Sequence, residues 1–180
     1  TPTLSDSLSR WKKYKHVLEK WFYEPSFDTI QCSIASYVNH VLGQDRTVWL
    51  FALGGPSTGK TSTVIKPLSY LPDTYTISTM NEKSLISGFG KTPSGLLFNM
   101  KNKSGIILFS DFSNFLSLPD HVREQVQSQL RDVYDGEMTR SLANFKNPVT
   151  WKGRCTIIAA CTNELEQKWK FSHDLGERFM

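Results

Sequence analysis

Residues 54–61 read Gly-Gly-Pro-Ser-Thr-Gly-Lys-Thr, and this stretch decides the fold because it fits the pattern G-x-x-x-x-G-K-S/T at every defined position. An apolar run at residues 47–53 predicts a buried strand before it, and residues 62–71 predict a helix after it. Glycines let backbone N–H groups turn inward onto a polyphosphate, and the start of the helix adds partial positive charge. The residues predicted to bind phosphate are Gly54, Gly55, Pro56, Ser57, Thr58, Gly59, Lys60, Thr61 and Ser62.

The composition is that of one globular domain of ordinary size. The chain has 180 residues, of which 39% are hydrophobic and 12% aromatic, so a disordered polymer is excluded. A net charge of +4 weakly favours acidic partners such as nucleic acid, although a solvated basic surface is the commoner cause. No apolar run approaches the roughly 20 residues that span a bilayer, and we expect no membrane association.

The cysteines indicate a reducing compartment. Cys32, Cys155 and Cys161 cannot all pair and lack metal-binding spacing, so we interpret them as reduced, mostly buried thiols. This favours a cytoplasmic protein or, for a viral or phage chain, one inside the host cell.

Two helices are predicted before the first strand. Residues 4–22 combine apolar positions at helical spacing with five Lys or Arg side chains, and two interpretations stay open: helix packing, or a grip on single-stranded nucleic acid. Asp28, with Gln31 three residues later, predicts the cap of a second helix. The apolar face expected to be buried consists of Ile30, Ile34, Tyr37, Val38, Val41 and Leu42. Residues 1–45 therefore form an N-terminal helical segment before a core at residues 46–180.

A second informative stretch is the apolar run of residues 106–109, which leads through Ser110 to Asp111. Such a run predicts a central parallel strand whose carboxylate emerges at the carboxyl edge of the sheet, where nucleotide sites lie. We predict that Asp111 and Thr61 hold the Mg²⁺ of Mg·ATP, while Lys60 reaches the β- and γ-phosphates. The alternative for Asp111 is a strand end that caps the next helix.

A third apolar run, residues 155–161, leads to Asn163. If this strand neighbours the strand before Asp111, the Asn163 side chain can sense the γ-phosphate, and ordinary capping of the strand end is the alternative. Helices are also predicted at residues 80–87 and 119–134. Residues 138–151 predict a hairpin or long loop whose tip carries Phe145 and Lys146, a candidate contact with nucleic acid.

The order of these parts resembles the AAA+ ATPase core over about residues 46–180. The resemblance implies an α/β P-loop NTPase, a three-layer sandwich with a central parallel sheet, preceded here by a short helical segment. Residues 175–179 resemble the arginine-finger segment of that superfamily, which implies that Arg178 acts in the ATP site of an adjacent subunit. The hairpin is similar to the pre-sensor insertion of superfamily 3 helicases. The helical lid that AAA+ proteins carry next is missing, so we expect a fragment of a longer protein.

A narrower resemblance concerns residues 110–113, 134–140 and 175–179, which look like phage and bacterial mobile-element proteins of helicase-like P-loop type. Many ring-forming ATPases have Glu after the metal-binding Asp as the base that polarises water, whereas this chain has Phe112, as that group does. Glu124, Glu164 or another residue that holds the attacking water from a greater distance are the alternatives for the base, and the sequence does not choose among them.

The expected function is that of an ATPase motor in a homo-oligomer, plausibly a hexameric ring, which acts on single- or double-stranded DNA during replication. Its catalytic residues would be Lys60, Asp111, Asn163 and Arg178, with ATP and Mg²⁺ bound and other replication proteins as partners. Two alternatives stay open. One is a nucleotide-gated scaffold or regulator with little turnover, and the other is a small-molecule P-loop kinase.

Overall fold

A four-stranded parallel sheet forms the centre of the chain. The computed structural model describes residues 3–44, 46–88 and 92–163. The sheet strands, in chain order, are β1 (Leu50–Leu53), β2 (Thr74–Ile77), β3 (Ser104–Phe109) and β6 (Arg154–Cys161). Their spatial order is β1-β6-β3-β2, so β6 lies between the strand before the phosphate loop and the strand before Asp111. A separate antiparallel hairpin consists of β4 (Glu137–Arg140) and β5 (Val149–Lys152).

The central strands β3 and β6 are buried on both faces of the sheet, which is why they read as continuous apolar runs. Alternate side chains of β3 enter different clusters: Ile106 and Leu108 point to one face, and Ile107 and Phe109 to the other. Seven of the eight residues of β6 are buried. The predictions of strands at residues 47–53, 106–109 and 155–161 are confirmed within about three residues at each end.

Helices cover both faces. On one face lie α1 (Leu4–Trp21), α2 (Phe27–Val41) and the helix after the phosphate loop, which is π-helical over Thr61–Ile65 and continues as α3 (Lys66–Leu68). On the other lie α4 (Leu96–Asn99), α5 (Ser113–Leu116), α6 (Asp120–Tyr134) and the β4–β5 hairpin. The chain is thus an α/β domain with a parallel sheet between helical layers, which is compatible with a P-loop-type sandwich.

The predicted buried face of α2 is wrong at four of its six positions, since only Ile30 is buried and Tyr37 partly buried. Apart from Ile30, the buried residues of α2 are Ser33, Ser36 and His40. The exposed ones include Ile34, Val38 and Val41, and Leu42 after the helix is also exposed. The polar face lies against the sheet because it finds partners there: Ser36 Oγ donates to the Val48 carbonyl at 2.6 Å, and His40 Nδ1 lies 2.9 Å from Thr156 Oγ1. The predicted cap is also wrong, because Ser26 Oγ accepts from Thr29 N–H.

The helix predicted at residues 80–87 is absent. Asn81 Oδ1 accepts from Lys83 N–H at 2.9 Å, and Asn81 N–H donates to Ser84 Oγ at 2.9 Å, so local side chains replace helical bonds. The Glu82 carbonyl accepts from the Gln129 amide at 3.1 Å and from the Arg140 guanidinium. These long-range partners hold an irregular segment that still buries Met80, Leu85 and Ile86.

Two further predictions of secondary structure agree with the structure. The helix predicted at residues 119–134 is α6, and the hairpin predicted at residues 138–151 is β4–β5. Cys155 and Cys161 are buried, Cys32 is exposed, and all three are free thiols. Within the described ranges, no helix combines the length and apolar character needed to cross a membrane.

Candidate nucleotide site

Three strand ends meet at one edge of the sheet. Leu53 pairs with Cys161, and Phe109 pairs with Ala159, so β1, β6 and β3 end side by side. Because the strands are parallel, the segments that follow them emerge together. These segments are the loop after β1, Ser110–Asp111 after β3, and Thr162–Asn163 after β6. The topology therefore brings the predicted phosphate, metal and sensor residues to a single edge.

The loop after β1 has the backbone of an anion-binding turn. Ser57 and Gly59 have left-handed φ angles of +61° and +81°, and left-handed residues among right-handed ones turn successive N–H groups inward. A side chain at Gly59 would be strained by this φ, and its Cβ would lie 3.2 Å from Cδ1 of Phe22. The last turn of α1 is thus in contact with the loop, a neighbour that the sequence pattern does not reveal.

The Lys60 ammonium lies inside the curve of this loop. Its Nζ donates to the carbonyls of Gly54 and Gly55 at 2.7 and 2.6 Å, and Thr58 Oγ1 accepts at 3.1 Å. Three acceptors match the three N–H donors of a lysine. The positive charge is therefore held by oxygen atoms of the loop, and a bound phosphate would take the place of these acceptors.

Thr61 and Asp111 lie at adjacent positions of the edge. The Thr61 hydroxyl donates to the Ser110 carbonyl at 3.3 Å, which links the start of the helix after the loop to the residue before Asp111. Asp111 is exposed, and its Oδ1 accepts from Ser113 N–H at 2.9 Å. One carboxylate oxygen therefore accepts a hydrogen bond from the backbone at the start of α5, in line with the capping alternative, and the metal role of Asp111 stays a prediction.

The pKa of the Cys161 thiol is affected by both Lys60 and Asp111. Burial raises its pKa, the Asp111 carboxylate raises the pKa further, and the Lys60 ammonium lowers it. Both charges act on one buried thiol under the edge, which means that both lie near the end of β6. Lys60 and Asp111 thus share one electrostatic environment with opposite signs.

Ser113 and Thr162 join the ends of β3 and β6. Ser113 Oγ lies 3.1 Å from Thr162 Oγ1 and accepts from Thr162 N–H at 3.0 Å. Neither residue was predicted as part of the site, although a serine two residues after a strand-end aspartate is a recognisable turn signal. This link sets the path of the chain into Asn163, which is exposed two residues beyond β6 and adjacent to both other strand ends.

Phe112 belongs to the core. It is 1% exposed, and its ring centroid lies 5.0 Å from Phe109, 5.2 Å from Phe51 and 4.9 Å from Phe115. Its N–H donates to the Ala160 carbonyl at 2.8 Å, which fixes the backbone that turns the side chain inward. Position 112 therefore faces away from the edge where Asp111 is exposed. The alternative base Glu124 is exposed on α6, and Glu164 lies outside the described residues, as does Arg178.

The candidate nucleic-acid residues at the hairpin differ in exposure. Phe145 is half-buried against the core, whereas Lys146 is exposed. Asn144 donates to the Gly88 carbonyl at 2.8 Å, so the tip is attached to the body of the domain. On α1, the Trp11 ring packs against Tyr14 and Phe27, which is the packing interpretation of that helix, while Lys12, Lys13 and Lys20 are exposed.

In the described ranges, no three His, Cys, Asp or Glu side chains come together as a metal cluster. The pair predicted for Mg²⁺ is smaller, one hydroxyl and one carboxylate, and Mg²⁺ bound with a nucleotide takes its other ligands from phosphate and water. Thr61 and Asp111 offer the oxygen donors that this ion prefers.

Comparison with known protein families gives no matching family, and none of the curated proteins matches the sequence.

Proposed function

We propose that this chain is the ATP-hydrolysing core of an oligomeric DNA-replication motor of the AAA+ type, helicase or helicase loader. The observation that carries the proposal is the convergence of Lys60, Thr61 and Asp111 at the edge where β1, β6 and β3 end. A cation in a loop of inward N–H groups beside an exposed carboxylate is what Mg·ATP requires.

Each residue has a distinct role in this proposal. The loop N–H groups and Lys60 hold the phosphates, and Thr61 and Asp111 provide the oxygen ligands for Mg²⁺, whose charge offsets that of the phosphates. Asn163, exposed after β6 between the two other strand ends, senses the γ-phosphate. Arg178 from a neighbouring subunit stabilises the charge that develops on the transferred phosphoryl group. The last two roles follow from the resemblance to AAA+ proteins.

Charge alone supports DNA as the polymer on which the proposed motor acts. The net charge is +4, and exposed lysines cluster on α1. Movement of the Phe145–Lys146 tip during hydrolysis would have to break the bond from Asn144 to the Gly88 carbonyl.

A second candidate function is a nucleotide-gated scaffold that binds ATP and turns it over slowly. It is favoured by Phe112, whose ring is enclosed by three other phenylalanines and leaves no base directly after Asp111. Such a protein would bind Mg·ATP without measurable hydrolysis, with or without DNA.

The first experiment measures Mg·ATP hydrolysis by Lys60→Ala, Arg178→Ala and a 1:1 mixture, each with and without single-stranded DNA. Lys60→Ala should lose about 100-fold or more in turnover because its cation is the one within the loop. Lys66→Ala is the matched control, since it removes an exposed lysine of the same helix outside the loop.

The mixture of the two variants distinguishes the candidate functions. Recovery of turnover in the mixture means that one subunit supplies the loop and another supplies Arg178, as a ring motor requires. Full activity of Arg178→Ala alone would contradict the motor and favour a monomeric kinase. Binding without turnover in the wild type would favour the scaffold, and equal activity of Lys60→Ala and wild type would overturn the nucleotide site.

A further inference from the structure

A small cavity beside Asp111 has no role in the function proposed above. Its volume is about 10 Å³, which is close to the room that a single water molecule needs. Three segments supply its lining, namely the residues after β2, the end of β3 with the turn that follows it, and α5. The lining residues are Ser78, Thr79, Met80, Phe109, Asp111, Phe112, Asn114 and Phe115.

The pairing of β2 with β3 explains why these segments meet. Ile77, the last residue of β2, pairs with Phe109, the last residue of β3. Because the two strands are parallel, Ser78 and Thr79 emerge at the same edge of the sheet as Asp111. The cavity therefore lies next to the carboxylate that the proposed function assigns to Mg²⁺.

One side of the cavity is polar. Ser78 and Thr79 contribute hydroxyl groups, Asn114 contributes an amide, and all three residues are exposed, as is Asp111. A bound water makes roughly two to four hydrogen bonds, and these groups supply both donors and acceptors. Oδ1 of Asp111 accepts from Ser113 N–H at 2.9 Å, which leaves Oδ2 of the same carboxylate to accept from a water.

The other side of the cavity is apolar and closed. It is formed by four side chains that are each at most 6% exposed: Met80, Phe109, Phe112 and Phe115. These walls offer no hydrogen-bond partner, so a water in the cavity bonds on the polar side alone and its orientation is restricted. Phe112, which stands where many ring-forming ATPases have a glutamate, is thus part of the wall that confines such a water.

We propose that this cavity holds the water that attacks the γ-phosphorus of ATP, and that Thr79 and Asn114 orient it in place of a glutamate after Asp111. The inference rests on the proposed ATPase function and adds the groups that hold the nucleophile. Phosphoryl transfer depends chiefly on positioning and on stabilisation of charge, so two neutral side chains can serve this role.

The reaction then needs no side chain that accepts a proton. The water oxygen forms a bond to the γ-phosphorus, and the bond from this phosphorus to the bridging oxygen breaks with its electron pair going to ADP. One water proton passes to an oxygen of the released phosphate.

The test removes polar groups of the cavity and keeps its apolar walls. Steady-state kinetics gives kcat for Mg·ATP hydrolysis, and calorimetry gives the Kd of a non-hydrolysable ATP analogue with Mg²⁺, for the full chain as wild type, Thr79→Val and Asn114→Ala. Each substitution should lower kcat about 10- to 100-fold, because the water loses a partner that orients it, and should change the Kd less than about 2-fold.

Two further variants test whether the hydroxyl itself matters. Thr79→Ser should retain a kcat near that of wild type, because it keeps the hydroxyl. Thr76→Val is the matched control, since it removes the hydroxyl of another exposed threonine, on β2 and outside the lining of the cavity, and it should change neither kcat nor Kd. Urea denaturation verifies that each variant is folded, and Thr79→Ala or Asn114→Leu replaces a variant that is not.

The outcomes distinguish this inference from the proposed function. If either Thr79→Val or Asn114→Ala has the kcat of wild type, the inference is overturned, while hydrolysis by wild type leaves the ATPase proposal in place. A Kd that rises as much as kcat falls would assign the residue to nucleotide binding and would also overturn the inference. Nucleotide binding without hydrolysis in the wild type would contradict the motor and this inference together and would leave the phosphate site.

Discussion

The two faces of the sheet are covered by different chemistry. On the face of α6, the side chains are apolar and large, and Phe109, Phe112, Trp49 and Trp151 are all at most 1% exposed. On the face of α2, the helix places serines and a histidine against the amino-terminal half of the strands. His40 Nδ1 lies 2.9 Å from Thr156 Oγ1 on β6, and its Nε2 lies 3.2 Å from Ser104 Oγ on β3.

This difference separates two ways of attaching a helix to a sheet. The apolar face is held by burial and close packing, so its stability should depend on side-chain volume and little on pH. The α2 face also buries an apolar cluster, but α2 itself is attached by buried hydrogen bonds, so its attachment should depend on protonation and on the loss of single partners. Substitutions on each face can test this difference.

The largest effect is expected on the apolar face. Phe112→Ala removes a ring enclosed by Phe51, Phe109 and Phe115 and should lower the free energy of unfolding by about 3 to 5 kcal/mol. Urea denaturation measures it, with Tyr70→Ala as the control for loss of an exposed aromatic ring, expected within about 0.5 kcal/mol. A loss below about 1 kcal/mol for Phe112→Ala would show that this face is not held by packing.

The second prediction concerns the α2 face and the pH dependence of the free energy of unfolding. The pKa of His40 is lowered to about 4, chiefly by burial and also by the nearby Arg154, while Asp73 acts in the opposite direction. Between pH 6.5 and 4 the unfolded chain binds a proton that the folded chain does not, so the free energy of unfolding falls by about 1.4 kcal/mol per pH unit as the pH is lowered. Above pH 6.5 this loss is absent.

The measurement compares wild type and His40→Gln at pH 7 and pH 4.5. Carboxylates also titrate in this range, but they are common to both proteins, so the difference isolates His40. Wild type should lose about 2 to 3 kcal/mol more than His40→Gln over this interval. His121→Gln, which replaces an exposed histidine, should follow wild type. Parallel pH profiles for wild type and His40→Gln would refute the proposed role of the buried histidine.

The same contrast explains what the sequence could predict. Strands buried on both faces show as apolar runs, so β1, β3 and β6 were found, and with them the edge that carries Lys60, Thr61 and Asp111. Local motifs also suffice for the loop, because its residues are consecutive. Ser110 was missed because it acts through its backbone carbonyl, which leaves no pattern in sequence, and Ser113 was missed because its turn signal does not reveal the contact with Thr162.

Helix α2 shows why the rest was not predictable. A helix with apolar residues at 34, 38 and 41 and polar residues at 33, 36 and 40 has two possible buried faces, and apolar periodicity selects the first. The choice made in the fold depends on Thr156, Ser104 and the Val48 carbonyl, which are distant in sequence. The helix prediction at residues 80–87 failed for the same reason, because side chains from α6 and β4 donate hydrogen bonds to the carbonyl groups of this segment.

The smallest effects are expected for two substitutions on α2, and their comparison tests which face of this helix is buried in solution. Ser36→Ala removes the bond to the Val48 carbonyl and should cost about 1 kcal/mol. Val38→Ala removes a side chain that is 43% exposed and should change stability by no more than about 0.5 kcal/mol, since alanine also has the better helix propensity. Both are measured as shifts in the urea midpoint at unchanged m-value. If Val38→Ala costs more than Ser36→Ala, the apolar face of α2 is covered in solution, and the contrast between the two faces of the sheet would no longer hold.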